Sequence, residues 1–211
     1  MKKWLICLLA TMVLPAWAQN ESNAEALLKE VIDTTASYKN FKADLGYTMV
    51  NIEMDIDEKK TGVIYVQGDA YRLEMEGQLV ISDGKTIWTY LPDSEEVMVS
   101  SAEDSDESIS PTKILSKYGD NYKARFDNDK KYQGTNLKEI SLKSEDGNNF
   151  DKLNVVVDAK NKSLKSFSIY DKNGNIFTYE ILNLQSSIDI QDSVFTFVAT
   201  DYPDVEVIDM R

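Results

Sequence analysis

The stretch from Ile81 to Val99, ISDGKTIWTYLPDSEEVMV, reads as strand, tight turn, strand, tight turn, strand. Asp83-Gly84 is a hairpin signal, because glycine reaches positive φ without steric cost. Ile87, Trp88 and Tyr90 form a β-prone run. Leu91-Pro92-Asp93 ends it, since proline pre-sets a turn and cannot donate to a sheet ladder. Glu95 to Val99 then opens a third strand.

Upstream, Lys42 begins a long succession of strands and turns. Ala43, Leu45, Tyr47 and Met49 alternate with polar neighbours, Asp55 to Lys60 reads as a charged turn, and Gly62 to Gln67 as the next strand. Gly68-Asp69 turns the chain. Tyr71, Leu73 and Met75 then share one face, with Arg72, Glu74 and Glu76 on the other, the pattern of a half-buried antiparallel strand. Downstream, strands are expected at Tyr122 to Phe126, Leu137 to Lys143, Leu153 to Val157, Leu164 to Tyr170 and Ile176 to Leu184. Asp146-Gly147 and Asn173-Gly174 supply hairpin turns. Phe195-Thr196-Phe197 and Val205 to Ile208 read as short closing strands.

Two helical segments interrupt this pattern. Glu21 to Tyr38 carries Leu27, Leu28, Val31, Ile32 and Tyr38 at helical spacing, and Ser22 and Glu25 have the spacing of a capping box. Ser110-Pro111 reads as an N-cap followed by proline at the first helical position, with Ile114, Leu115 and Tyr118 on one face of the short helix and Gly119 ending it. The count is about ten or eleven strands, an N-terminal helix and one or two short helices. So many antiparallel strands in one domain curl into a closed or partly closed barrel. The class is mainly β with helices (α+β).

The N-terminus has the form of an export signal: Lys2 and Lys3, the apolar run Trp4 to Leu14, and Ala16-Trp17-Ala18 as a small-x-small cleavage site. Residues 1–18 are therefore read as a signal peptide and 19–211 as one domain. The sole cysteine, Cys7, lies inside the apolar run, so no lipid-anchoring cysteine follows the cleavage site, and the mature chain is free of disulfides. Losing Lys2 and Lys3 takes the net charge from −13 to −15. That excess repels nucleic acid and anionic lipid.

Histidine is absent, which removes the commonest general base and metal ligand. Glu95 and Glu96 are adjacent on a strand and point to opposite faces, so they do not share a site. No nucleophile motif appears. The acidic tract Ser101 to Ser108 and the Asp171 to Asn175 turn lack the ligand spacing of known calcium loops. Neither catalysis, a metal nor a cofactor is expected.

The opening tract resembles the signature of the LolA family, periplasmic carriers of bacterial lipoproteins, at Ser82, Asp83, Gly84, Lys85, Trp88, Tyr90, Pro92 and Asp93. Tyr71-Arg72 is similar to the aromatic-arginine pair of the preceding strand. Phe195-Thr196-Phe197, Pro203, Val205 and Val207-Ile208-Asp209 are similar to the family's C-terminal motif. The resemblance implies an incomplete antiparallel barrel with helices forming a lid over an apolar cavity. It implies binding of lipoprotein acyl chains after release at the inner membrane, and shuttling to the outer membrane. The implied partners are acylated lipoproteins, an inner-membrane ABC-type release complex and an outer-membrane acceptor. The carrier is expected to be a periplasmic monomer that touches membranes only transiently. A lipid-sensing or general lipid-binding module is the alternative on the same fold. One departure stands out: many proteobacterial members carry arginine-proline where this chain has Gly68-Asp69, and that arginine is associated with lid closure and cargo release.

An acyl carrier needs an apolar, adaptable lining, which methionine and aromatic side chains supply. The lining expected from the alternating strands is Leu45, Tyr47, Met49, Tyr65, Tyr71, Leu73, Met75, Trp88, Tyr90 and Met98, with Ile114 and Leu115 from the mid-chain helix. Leu115→Glu is expected to weaken binding of a fluorescent fatty acid without unfolding the barrel. Unchanged binding would remove that helix from the lining.

Overall fold

The structure is a computed structural model and describes residues 16–103, 122–127, 130–144 and 150–211. Most of the export signal, the 110–119 helix with Ile114 and Leu115, and the Asp146-Gly147 turn lie outside the described residues.

Alternation at period two produces twelve strands in one sheet among the described residues. The first six are β1 (Asn40–Asn51), β2 (Ile56–Gln67), β3 (Ala70–Met75), β4 (Gln78–Ser82), β5 (Thr86–Leu91) and β6 (Glu96–Ser101). The rest are β7 (Tyr122–Asp127), β8 (Leu137–Ser144), β9 (Phe150–Asp158), β10 (Ser163–Asp171), β11 (Ile176–Ser186) and β12 (Glu206–Asp209). Their spatial order is β12-β6-β5-β4-β3-β2-β1-β11-β10-β9-β8-β7. Among the described residues the end strands β12 and β7 do not pair with one another, so the sheet is an incomplete barrel, as expected. The pairings are antiparallel except β12 on β6, which is parallel.

Helix α1 (Ala16–Ala36) places Ala24, Leu27, Leu28 and Val31 in a core with Ala124, Ile140, Leu142, Leu153, Val155, Val157, Leu164 and Phe167. Their i, i+3, i+4, i+7 spacing makes one stripe, which the inner face of the sheet covers. A second core on the same face joins Phe41, Ala43, Leu45, Ile64, Val66, Tyr71, Leu73, Val80 and Ile87. Ile181 packs against both.

Several local expectations are corrected. Ser22 and Glu25 lie within α1 rather than at its cap, since the helix spans Ala16–Ala36. Ile56 to Lys60 belong to β2, because the twelve-residue β1 pairs along its whole length, Asn51 with Ile56 and Tyr47 with Lys60. The turn is therefore Ile52 to Asp55. Phe195 ends a 3-10 turn (Asp192–Phe195) instead of starting a strand. This C-terminal segment crosses the outer face of the sheet. Phe197 stacks on Trp88 at 6.3 Å and on Tyr202 at 5.1 Å, and Tyr202 meets Tyr90 at 4.6 Å.

Two glycines are set by close approach. Gly84, at φ +92°, has Asp69 Cβ only 3.1 Å from where its own Cβ would lie, so the β2–β3 and β4–β5 turns pack on one another. At Gly62 a Cβ would stand 2.6 Å from the Glu74 carbonyl oxygen and 2.5 Å from Met75 Cγ. The methionine could move aside, but the paired β3 backbone has no such freedom. Gly62→Ala is therefore expected to cost about 1–3 kcal/mol, read as a lower urea midpoint.

Candidate functional site: an apolar cavity at the sheet seam

The inner faces of β1 and β11 meet antiparallel, pairing Ala43 with Leu184, Leu45 with Ile181, Tyr47 with Tyr179 and Met49 with Phe177. Two irregularities interrupt the regular ladder here. The β1–β11 register shifts at Asp44/Leu45, leaving Leu182 as the extra residue, and the β9–β10 register shifts at Leu164/Ser166, leaving Lys165. A bulge bends its strand and increases local twist. The sheet thus curls around the C-terminal end of α1 without packing flat on it.

The space left is a cavity of about 360 Å³. This falls in the range of roughly 300–1,000 Å³ usual for small-ligand pockets. Its wall includes Phe41, Ala43, Leu45, Ile64, Leu164, Phe167, Tyr179, Ile181 and Leu184, with Thr35 and Tyr38 from the end of α1 and the following turn. Ser163, Lys165, Leu182 and Asn183 complete it. Two of its polar side chains have local partners: Thr35 Oγ1 donates to the Val31 carbonyl (2.8 Å), and Asn183 Nδ2 to Asp44 Oδ2 (3.2 Å). The aromatic wall is continuous. Phe167 stacks on Tyr179 at 4.9 Å, and Tyr179 meets Tyr47 at 5.2 Å.

Of the twelve residues expected to line a cavity, Leu45 does so. Tyr47, Met49, Tyr71, Leu73, Met75 and Met98 share its inner face, as the register from β1 to β6 shows. Among these, Tyr71 and Leu73 are packed core, 2% and 1% exposed. Tyr65, Trp88 and Tyr90 are on the outer face and do not line the cavity. Tyr65 sits beneath the Lys42 ammonium at 5.6 Å, while Trp88 and Tyr90 pack against Phe197 and Tyr202. The reason is parity: Ile64, Ile87 and Thr89 take the inward positions, so their neighbours point outward. Ile114 and Leu115 lie outside the described residues.

Phe167, Tyr179, Ile181 and Leu184 were not anticipated. Their alternation along β10 and β11 was readable, but not the pairing of β11 with β1, which brings them to Leu45. At the Phe41 end of the same sheet lies the Gly68-Asp69 turn, with Gly68 at φ +59°.

Burial raises the Tyr179 phenol to about 12, with the neighbouring Tyr47 adding to the shift. Burial also raises Tyr47, reinforced by Glu58. An unfolded chain would release the Tyr179 proton near 10. The stability this neutral phenol contributes is therefore complete below about pH 10 and is lost as pH rises towards 12. Tyr179→Phe should lose less stability than the parent chain between about pH 10 and 12 in denaturant melts; identical pH slopes would contradict the assignment.

The comparisons with known proteins agree with this architecture. A sequence model of the family described as outer membrane lipoprotein carrier protein LolA matches residues 37–198. An outer-membrane lipoprotein carrier protein of Shewanella baltica is 27% identical over 213 residues, covering 98% of this chain and 96% of that protein. Another, from a further Shewanella strain, is 28% identical over 212 residues, covering 98% and 97%. Among solved structures, an uncharacterized conserved protein from Thermus thermophilus superposes with a TM-score of 0.58 at 12% identity, covering 89% of this chain and 99% of that one. The Mycobacterium tuberculosis lipoprotein LppX gives 0.52 at 12% identity, covering 81% and 100%. These structural likenesses establish the fold. The family match over 37–198 reaches from the end of α1 to the outer-face strap and includes every strand that walls the cavity, and by it this chain belongs to the LolA family.

Proposed function

We propose that this chain is a periplasmic carrier that binds the acyl chains of lipoproteins released from the inner membrane and shuttles them to the outer membrane. The observation that carries this reading is the apolar cavity of about 360 Å³ between α1 and the inner face of an open sheet. The family and its Shewanella relatives carry the corresponding name. Each methylene taken from water is worth about 0.8 kcal/mol, so one acyl chain is worth on the order of 10 kcal/mol. A carrier must offset most of that while remaining able to let go. A cavity between a helix and the bulged seam of an unclosed sheet suits the task, since α1 can shift without breaking strand ladders.

Leu45 and the seam residues Phe167, Tyr179 and Ile181 are the contacts nearest the cavity. Tyr47, Met49, Met75 and Met98 extend the apolar inner face on either side of it, around the packed Tyr71 and Leu73. The cargo enters from an ABC-type release complex and leaves to an outer-membrane acceptor. The carrier itself works as a monomer, by binding rather than by catalysis. Removal of residues 1–18 on export leaves the remainder of α1 as the mature N-terminus.

Native mass spectrometry of the chain isolated from its own periplasm tests this. A bound triacylated lipoprotein is expected. Free phospholipid or fatty acid in its place would favour a lipid sensor or general lipid shuttle, and a cavity that takes up no lipid at all would end both readings.

A further inference from the structure

The turn between β1 and β2 runs through Ile52, Glu53, Met54 and Asp55. Turn positions favour glycine, proline, asparagine, aspartate and serine, which meet turn geometry while facing water. Here Ile52 is 84% exposed and Met54 65%, the most exposed large apolar side chains among the described residues. Such exposure is ordinary on a loose loop, but this loop is tied down. Asn51, 1% exposed, donates from Nδ2 to the Asn173 carbonyl (3.2 Å) and to Asn175 Oδ1 (2.7 Å), and its Oδ1 accepts from the Met54 amide (3.0 Å). The anchoring turn is itself fixed by Asp171, which accepts from the Asn175 amide at 2.8 Å and from its Nδ2 at 2.7 Å. A buried amide with three hydrogen bonds thus holds two apolar side chains out in water.

The position of this tip is also specific. From Leu45 in the cavity wall, the inner face of the β1–β11 pair continues through Tyr47 and Tyr179 to Met49 and Phe177, and Asn51 follows. The tip stands at the open end of an apolar track that begins in the cavity. Its charges are of one sign at the crest: Glu53 and Asp55 flank Met54, and Asp57 and Glu58 follow, with Lys59 engaged by Asp57 at 3.5 Å. Acidic groups around a pair of apolar side chains oppose insertion into an anionic bilayer and complement a basic protein rim.

We propose that the Ile52–Met54 tip is a docking finger. It seats in an apolar socket, rimmed by arginine or lysine, on the protein that loads the cavity, and brings that protein to the open end of the apolar track. This rests on the carrier reading.

The test uses the organism's own lipoprotein release complex in nanodiscs, with empty nanodiscs of the same lipid alongside. The full chain is expected to bind the loaded discs and not the empty ones. Ile52→Ser with Met54→Ser should weaken that binding at least about tenfold while leaving fluorescent fatty acid uptake and thermal stability unchanged. Glu53→Lys with Glu58→Lys should slow association and flatten its dependence on ionic strength. Unchanged affinity of the double serine variant, no binding of the full chain, or equal binding to empty nanodiscs would each overturn the finger. Failure of the carrier reading looks different: the chain docks in a tip-dependent way but takes no lipoprotein from the complex.

Discussion

The pairing of β1 with β11 is the interaction on which the rest of this molecule depends. It joins residues more than 120 positions apart, such as Leu45 with Ile181 and Met49 with Phe177. Without it the chain would be two separate meanders, β1 to β6 and β7 to β11, each with half a core. With it, the helix-covered core around Val31 and Val155 and the second core around Ile64 and Leu73 share one concave face. Closing so long a loop carries an entropic cost. The burial of Phe41, Ala43 and Leu45 against the neighbouring strands offsets it, at about 25 cal/mol for each Å² of apolar surface removed from water.

The same seam makes the cavity. A regular sheet would let α1 pack flat and leave no space. The extra residues Leu182 and Lys165 fall in β11 and β10 where those strands border the cavity, and a bulge bends its strand and raises the local twist. The outer face is treated differently. Over β5 it is covered by the C-terminal segment through Phe197 and Tyr202, and β12 then adds in parallel to β6, with Glu206 donating its amide to the Glu95 carbonyl at 2.9 Å. This gives the aromatic residues of the Trp-x-Tyr strand a structural duty. They anchor the strap that covers the outer face of β5.

The sheet therefore has an inner face divided between core and cavity and an outer face stabilised by a strap. The charge excess belongs to the surface, and around Ile52 and Met54 it surrounds apolar groups held rigidly by Asn51.

The amino-acid sequence by itself determined the β meander, the apolar stripe of α1 and the turns at Asp83-Gly84 and Asn173-Gly174. These are local: period two, period 3.6 and glycine's access to positive φ act within a few residues. It also determined the family resemblance, through motifs that shape turns and the strap. It misplaced Tyr65, Trp88 and Tyr90, because alternation tells which residues share a face but not which face turns inward. It likewise read Asp55 to Lys60 as a turn, because charge there reflects solvent on both sides of a sheet's end rather than a bend. Only the tertiary structure decided the cavity, since its wall is contributed by the end of α1 and by β1, β2, β10 and β11, whose neighbourhood depends on long-range register and two bulges. A single extra residue in a ladder leaves no mark in the hydrophobic pattern, yet it sets the curvature that opens the site.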